Sequence, residues 1–223
     1  MKKIMMIAAM MVAALSANAQ NEVGQVTLKP MVGLNIASMS KADNSKVRVG
    51  VAAGVEAEYG IAENFGISAG LLYSQQGVKS NGGWGAVFPD EVGDLIGGWA
   101  FEGKTTVKLD YINIPILAQF YPVKGLAIKA GIQPGFNVLK KVALDGTADQ
   151  ASVQAGNAKK VDESYKINEG VKGFQFAIPV GISYEYESFV LDARYNIGVT
   201  KAFKESDSRH SVFSITLGYK FAL

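Results

Sequence analysis

His210 is the one histidine of the chain, and it stands among Asp207, Ser208, Arg209 and Ser211. Such residues could supply a general base and a nucleophile, but catalysis needs the two in reach of each other and an orienting partner. Here they are sequence neighbours at the top of a strand, where adjacent side chains point to opposite faces. The expectation is a rim histidine at the start of the last strand, with no catalytic residue. One histidine excludes a multi-histidine metal centre. The absence of cysteine excludes thiolate metal sites, disulfides and a catalytic thiol. No metal and no cofactor are expected.

Charged residues at even spacing carry more information. Asp192 and Arg194 lie two apart, as do Glu56 and Glu58. In a strand each such pair shares a face. The expected set on these polar faces is Lys29, Arg48, Glu56, Glu58, Lys129, Glu185, Asp192, Arg194 and Lys220. Its predicted role is a structural ion-pair network that holds strand register; binding or gating is the other reading. Across the chain 22 basic residues face 20 acidic ones, a near-balance that argues against nucleic acid as a partner.

The elements that must position these charges are strands. Of 223 residues, 48% are apolar and 25 are glycine. Glycine is thus well above the roughly 7% of average usage. Apolar residues recur with period two. In 47–59, Val47, Val49, Val51, Ala53, Val55, Ala57 and Tyr59 share one face, and Arg48, Gly50, Gly54, Glu56 and Glu58 the other. The same alternation runs through 26–36, 65–73, 126–139, 174–186, 189–199 and 213–221. Segment 107–120 is less regular: Val107, Leu109 and Tyr111 are out of phase with Ile112, Ile114 and Ile116, and a bulge near Asp110 would reconcile them. Eight strands result, longer than the five or six residues usual in soluble sheets. Pro115, Pro134 and Pro179 fall inside strands, where bulges or a water in the lumen are expected.

The connections alternate in length. Short ones lie at 62–64, 122–125 and 187–188. Long ones run 39–46, roughly 79–105, roughly 142–170 and 204–209. In an antiparallel meander this puts every long connection at one end, as in an outer-membrane barrel with short periplasmic turns and long extracellular loops.

Period two alone leaves open which face points inward. A soluble lipocalin-like barrel turns the apolar face in; a membrane barrel turns it out. Three features favour outward. Glycine and serine crowd the polar face and suit a narrow lumen. Both signs of charge lie there. Aromatics flank the short turns, Tyr59 with Phe65, Phe120 with Tyr121 and Tyr186 with Phe189, as a girdle would. Eight strands enclose an interior that side chains roughly fill.

Lys2 and Lys3, an apolar run from Ile4 to Leu15 and Ala17-Asn18-Ala19 form a secretory signal-peptide pattern. Residues 1–19 are expected to be removed, leaving 20–223 as one barrel domain. The connection 79–105 is the most unusual segment. It holds Trp84, Phe88 and Trp99 among glycines and Asp90, Glu91 and Asp94. Two readings stay open: a loop folded over the barrel mouth, or a surface that contacts a partner or ligand. Residues 147–160 are polar and expected to be mobile.

Several stretches resemble the PorT-like family of small outer-membrane barrels, often labelled porin-family proteins. These are Tyr111 to Pro115 in "LDYINIPILAQFYP", Gly131 to Val138 in "GIQPGFNV", the run "IPVGISYEYESFVLDARYNIGVT" with Asp192, Arg194, Tyr195 and Asn196, and the closing "SITLGYKF". The resemblance implies a barrel more than an activity, since fold does not imply function. The family's name member is similar to a component needed for type IX secretion and gliding. Such barrels often end on an aromatic that the assembly machinery reads; this chain ends Phe221-Ala222-Leu223.

The reading is an all-β, eight-stranded antiparallel up-and-down transmembrane barrel in the bacterial outer membrane. It is non-enzymatic, presents loops, and is structural or part of a secretion or surface assembly. Its expected partners are outer-membrane lipid, the barrel-assembly machinery during biogenesis and a secretion or surface protein. The alternatives are a narrow-pore porin-like transporter, a lipid A-modifying enzyme using His210, and a soluble lipocalin-like binder.

Overall fold

The computed structural model describes residues 23–40, 45–81, 99–150, 159–166, 171–203 and 208–223. The expected signal peptide (1–19), Trp84, Phe88 and Asp207 lie outside the described residues. The strands are β1 (Val26–Met39), β2 (Ser45–Ala62), β3 (Phe65–Asn81), β4 (Trp99–Asn113), β5 (Ile116–Val123), β6 (Leu126–Gln150), β7 (Lys159–Lys166), β8 (Phe174–Tyr186), β9 (Phe189–Lys201), β10 (Arg209–Tyr219) and β11 (Phe221–Ala222). All join one antiparallel sheet, and β1 pairs with β10 and β11 to close it. The closed barrel has eight staves, with β4–β5 and β10–β11 each serving as one; β7 pairs only with β6. Closure matters because lipid offers no partner to an open strand edge.

The apolar face points outward. Val32, Leu71, Ile128, Ile182, Leu191 and Leu217 are each half-exposed or more on the outer wall, at 50–58%. Between them Glu56, Lys129, Asp192 and Arg194 are 1–4% exposed inside. An inverted pattern of this kind has its apolar residues solvated by hydrocarbon. It removes the lipocalin-like alternative.

Two aromatic rings border the apolar belt. Near the short turns stand Tyr59, Phe120, Tyr184, Tyr186 and Phe189. Tyr121 does not belong with them: its hydroxyl donates to Glu58 inside the barrel at 2.5 Å, because it follows outward-facing Phe120 by one residue. The second ring, toward the long connections, includes Phe136, Phe174, Tyr195 and Phe213. Phe136 and Phe174 meet edge-on at 5.6 Å.

Stave β4–β5 keeps one phase, with no bulge of its own. Val107, Leu109, Tyr111, Asn113, Leu117 and Gln119 all face the lumen at 3% exposure or less. The register shift does fall at Asp110/Tyr111, but the extra residue is on β6: Asp110 pairs with Leu139 and Tyr111 with Asn137, leaving Val138 over. Alternation misled here because the lumen itself is apolar at this level.

The prolines sit without register shifts. Pro179 pairs with Asn196 in an unbroken β8–β9 ladder; on its other side the β6–β8 ladder lapses after Ala130–Val180 and resumes in the same register at Gln133–Ala177 and Pro134–Phe176. Pro115 interrupts the strand assignment between β4 and β5, yet the pairing with β6 resumes unchanged. Their carbonyls still accept: Gly70 N–H donates to Pro115 O at 3.0 Å, and Ile114 N–H to Pro134 O at 2.8 Å.

The long connections hold more strand than the residue pattern indicates. β3 runs to Asn81 and β4 starts at Trp99; β6 continues to Gln150 and pairs with both β4 and β7. The ends of the polar stretch 147–160 are therefore strand, and its middle lies outside the described residues. A small sheet of β4, β6 and β7 thus extends past the barrel. Its apolar residues, Trp99, Phe101, Leu144, Val161 and Tyr165, are spread over three short segments, and no one of them shows a long apolar face.

Candidate functional site

The lumen is built in layers. Five ions from four staves form its main cluster. Lys29 on β1 stands opposite Glu56 on β2 in the ladder, and Nζ lies 2.9 Å from Oε1. Arg194 on β9 spans the interior, its Nη2 2.7 Å from Glu56 Oε2 and its Nε 2.7 Å from Asp192 Oδ1. Lys129 on β6 reaches Asp192 Oδ2 at 2.7 Å and Glu56 at 3.9 Å. Three cations thus share two carboxylates.

Gly181 makes room for this. It lies in register between Lys129 and Arg194. A Cβ there would stand 2.9 Å from Arg194 Cγ and 2.4 Å from Ala193 O.

Toward the short turns a second cluster restores the balance. Lys220 Nζ lies 2.9 Å from Glu185 Oε2 and 3.7 Å from Glu58 Oε2, and 5.7 Å from the centre of the Tyr121 ring. Glu58 is two residues from Glu56, about 6.6 Å along the strand. Together the clusters hold four cations and four anions. Arg48 is not part of them. Its Nη1 lies 3.5 Å from Asp110, which the sequence pattern marked only as the site of a bulge and not as part of the charge set, and it donates to Gln76 O. Asp110 also accepts from Tyr73 at 2.5 Å. Asp110 sits in an otherwise apolar-looking stretch, and nothing in the sequence links it to Arg48.

Above the main cluster lies an amide layer. Asn35 donates to Ser74 at 2.9 Å and accepts from Ser214 at 2.7 Å; Gln175 donates to Asn113 at 2.9 Å. A cavity of about 20 Å³ remains there. That is room for one water, far below the roughly 300 Å³ and more of a ligand pocket.

Next to the long connections the lumen turns apolar. Val78, Val107, Leu109, Val142, Val171, Phe203 and Val212 are all buried, and Val171 and Phe203 form an isolated bridge that prolongs the β8–β9 pairing at this end. His210 lies in this layer, 5% exposed, rather than at an open rim. Its ring meets Tyr111 edge-on at 5.3 Å, with Nε2 3.2 Å from the phenol oxygen. Nδ1 has no hydrogen-bond partner among the described residues. Ser211 points the other way, and its hydroxyl hydrogen-bonds Tyr195 on the outer wall at 2.5 Å. Ser211 and His210 therefore do not pair. Among the described residues no group of three or more acidic or histidine side chains is placed to hold a metal ion. The arrangement can staple strands and exclude water, and the described residues around His210 place no hydroxyl of Ser211 within its reach. Of the aromatic trio at 84, 88 and 99, only the backbone of Trp99 is described, at the start of β4.

No curated protein matches the chain. Among solved structures it is similar to Ail, the attachment invasion locus protein of Yersinia pestis, at 14% identity over 90% of this chain and 100% of that one, with a TM-score of 0.45. It is also similar to Neisserial surface protein A, at 14% identity over 88% and 97%, with a TM-score of 0.44. For the outer membrane protein OprG from Pseudomonas aeruginosa the values are 15%, 92%, 99% and 0.41. The family model for the outer membrane protein beta-barrel domain matches residues 18–204, most of the chain. With that match, the chain belongs to the outer membrane protein beta-barrel domain family, and its barrel is one of the bacterial outer membrane.

Proposed function

We propose that this protein is a non-enzymatic barrel that anchors a surface-exposed sheet and its loops. The observation that carries this reading is the filled lumen. Four cations balance four anions, and an apolar layer lies over them. Such an interior supports a role in holding shape rather than passing solute.

In this reading residues 1–19 are cleaved on export. The short turns face the periplasm, and β4, β6 and β7 extend outside the cell. Trp84, Phe88 and Trp99 then belong to a contact surface for a secretion or surface protein, since tryptophan is favoured at contact hot spots. The assembly machinery handles the chain during insertion. The PorT-like resemblance of Tyr111–Pro115 and Gly131–Val138 agrees with such a role.

Orientation is the cheapest part to test, because the chain has no cysteine of its own. Lys104→Cys, in the extended sheet, should react with a membrane-impermeant maleimide on intact cells. Lys124→Cys, in a short turn, should react only after permeabilisation. The reverse pattern would overturn the reading.

A further inference from the structure

Five lysines stand in cross-strand register where the sheet leaves the barrel. Lys46 on β2 pairs with Lys79 on β3. Lys108 on β4 pairs with Lys141 on β6, which pairs with Lys166 on β7. Lys79 pairs with Thr106, one diagonal step from Lys108.

At least two of these side chains face outward. Lys108 alternates with Val107 and Leu109, both buried in the lumen. Lys141 lies between Val142, buried inside, and Lys140, whose Nζ donates to Val171 O within the barrel mouth at 2.9 Å. Lys79 is exposed directly after buried Val78.

Like charges directly opposite each other destabilise a strand pair. Here the arrangement repeats across five strands. Among the described residues, nearby acid does not relieve it. Asp110, two residues from Lys108, is engaged by Arg48 and Tyr73. Asp145 and Asp162 pair with each other in the Lys104 row. That row is four residues farther from the barrel, about 13 Å along the strand. Among the described residues no ion pair involves Lys79, Lys108 or Lys141.

The position of the row identifies what could neutralise it. Tyr73, Ile112 and Phe136 pair across β3, β4 and β6 at the edge of the apolar belt. The lysine row stands four residues beyond Ile112, again about 13 Å along a tilted strand. That is the level of lipid headgroups outside the hydrocarbon core. Neighbouring strands lie about 4.8 Å apart, so one phosphate can reach two ammonium groups.

We propose that Lys79, Lys108 and Lys141 bind the phosphate groups of lipid headgroups around this end of the barrel. The acyl chains continue down the apolar wall below, which favours a lipid over a free anion. Only the identity of the leaflet rests on the orientation proposed above.

The test uses the full folded barrel in detergent, with lipid A as probe and native mass spectrometry to count retained lipid. The wild type and the triple variant Lys79→Arg/Lys108→Arg/Lys141→Arg should retain at least fivefold more lipid A than Lys79→Gln/Lys108→Gln/Lys141→Gln. Lys124→Gln should match the wild type. Chemically dephosphorylated lipid A should lose the preference, and that arm needs no variant to fold. Equal retention by the glutamine triple overturns the proposal, as does equal retention of dephosphorylated lipid A by the wild type. Full displacement by millimolar inorganic phosphate would assign a free-anion site instead and also overturn it. Retention in detergent is blind to orientation, whereas maleimide labelling reads it, so the two readings fail separately.

Discussion

Glu56 and Arg194 are 138 residues apart in the chain and meet at 2.7 Å across the lumen. Their strands, β2 and β9, are not neighbours; β1 and β10 stand between them. The pair therefore ties opposite walls together, and Lys29 and Lys129 add two further staves to the same carboxylates.

Glu56→Gln would leave three buried cations facing Asp192 alone. Breaking one partner out of a buried pair costs about 3–5 kcal/mol, because the charge left behind is neither solvated nor matched. Urea unfolding in micelles, followed by the heat-dependent gel shift, should show a loss of that size. Adding Lys29→Met should return part of it, since the lumen is then balanced again. An unchanged midpoint in Glu56→Gln would mean that the cluster does not hold the barrel.

How much of this was legible in the residues can be judged stave by stave. The alternation of β2 and β9 places Glu56, Glu58, Asp192 and Arg194 on one face, and the structure puts them inside. Alternation reports only a difference between two faces. Where both faces are apolar, as at Val107, Leu109 and Tyr111 against Ile112 and Ile114, it loses the phase. Where polar residues dominate and the strand is short, as in β7 with only Val161 and Tyr165 apolar or aromatic, it loses the strand. Partners on strands that are not adjacent in the chain leave no local mark either. Nothing near Arg48 indicates that Asp110, 62 residues on, will lie beside it.

Gly181 separates a packing role from a mere turn preference. Its missing Cβ would collide with Ala193 O at 2.4 Å and press on Arg194 Cγ at 2.9 Å. Gly181→Ala should destabilise by about 1–3 kcal/mol, the usual range for overpacking. Gly173, where no atom lies within 4 Å of the added carbon, is the control. Gly173→Ala should stay within about 0.5 kcal/mol, as surface substitutions do. Both are read from the same unfolding curves, and equal effects would remove the packing argument.

The filled lumen also makes an electrical prediction. In planar bilayers the wild type should give no steady conductance above leak. Leu109→Ala should not open it, since the amide layer and the ion cluster beneath stay in place. Stable single-channel steps from the wild type would restore the narrow-pore alternative. They would also mean that the paired ions can separate to let solute pass.

His210 is the residue on which an enzymatic reading would rest, and its surroundings argue for a structural part. A general base must reach the proton it takes. The ring instead lies edge-on to Tyr111, in an apolar layer, with Ser211 turned to the outer wall. His210→Ala should therefore leave the lipid A of the host membrane unchanged by mass spectrometry. It should still cost about 1–3 kcal/mol, because the Tyr111 hydroxyl loses its partner while staying buried. Tyr111→Phe should recover most of that loss when combined with His210→Ala, since it removes the stranded hydroxyl. A changed lipid A profile would overturn the non-enzymatic reading. Additive costs in the double variant would show that the two side chains do not act as a pair.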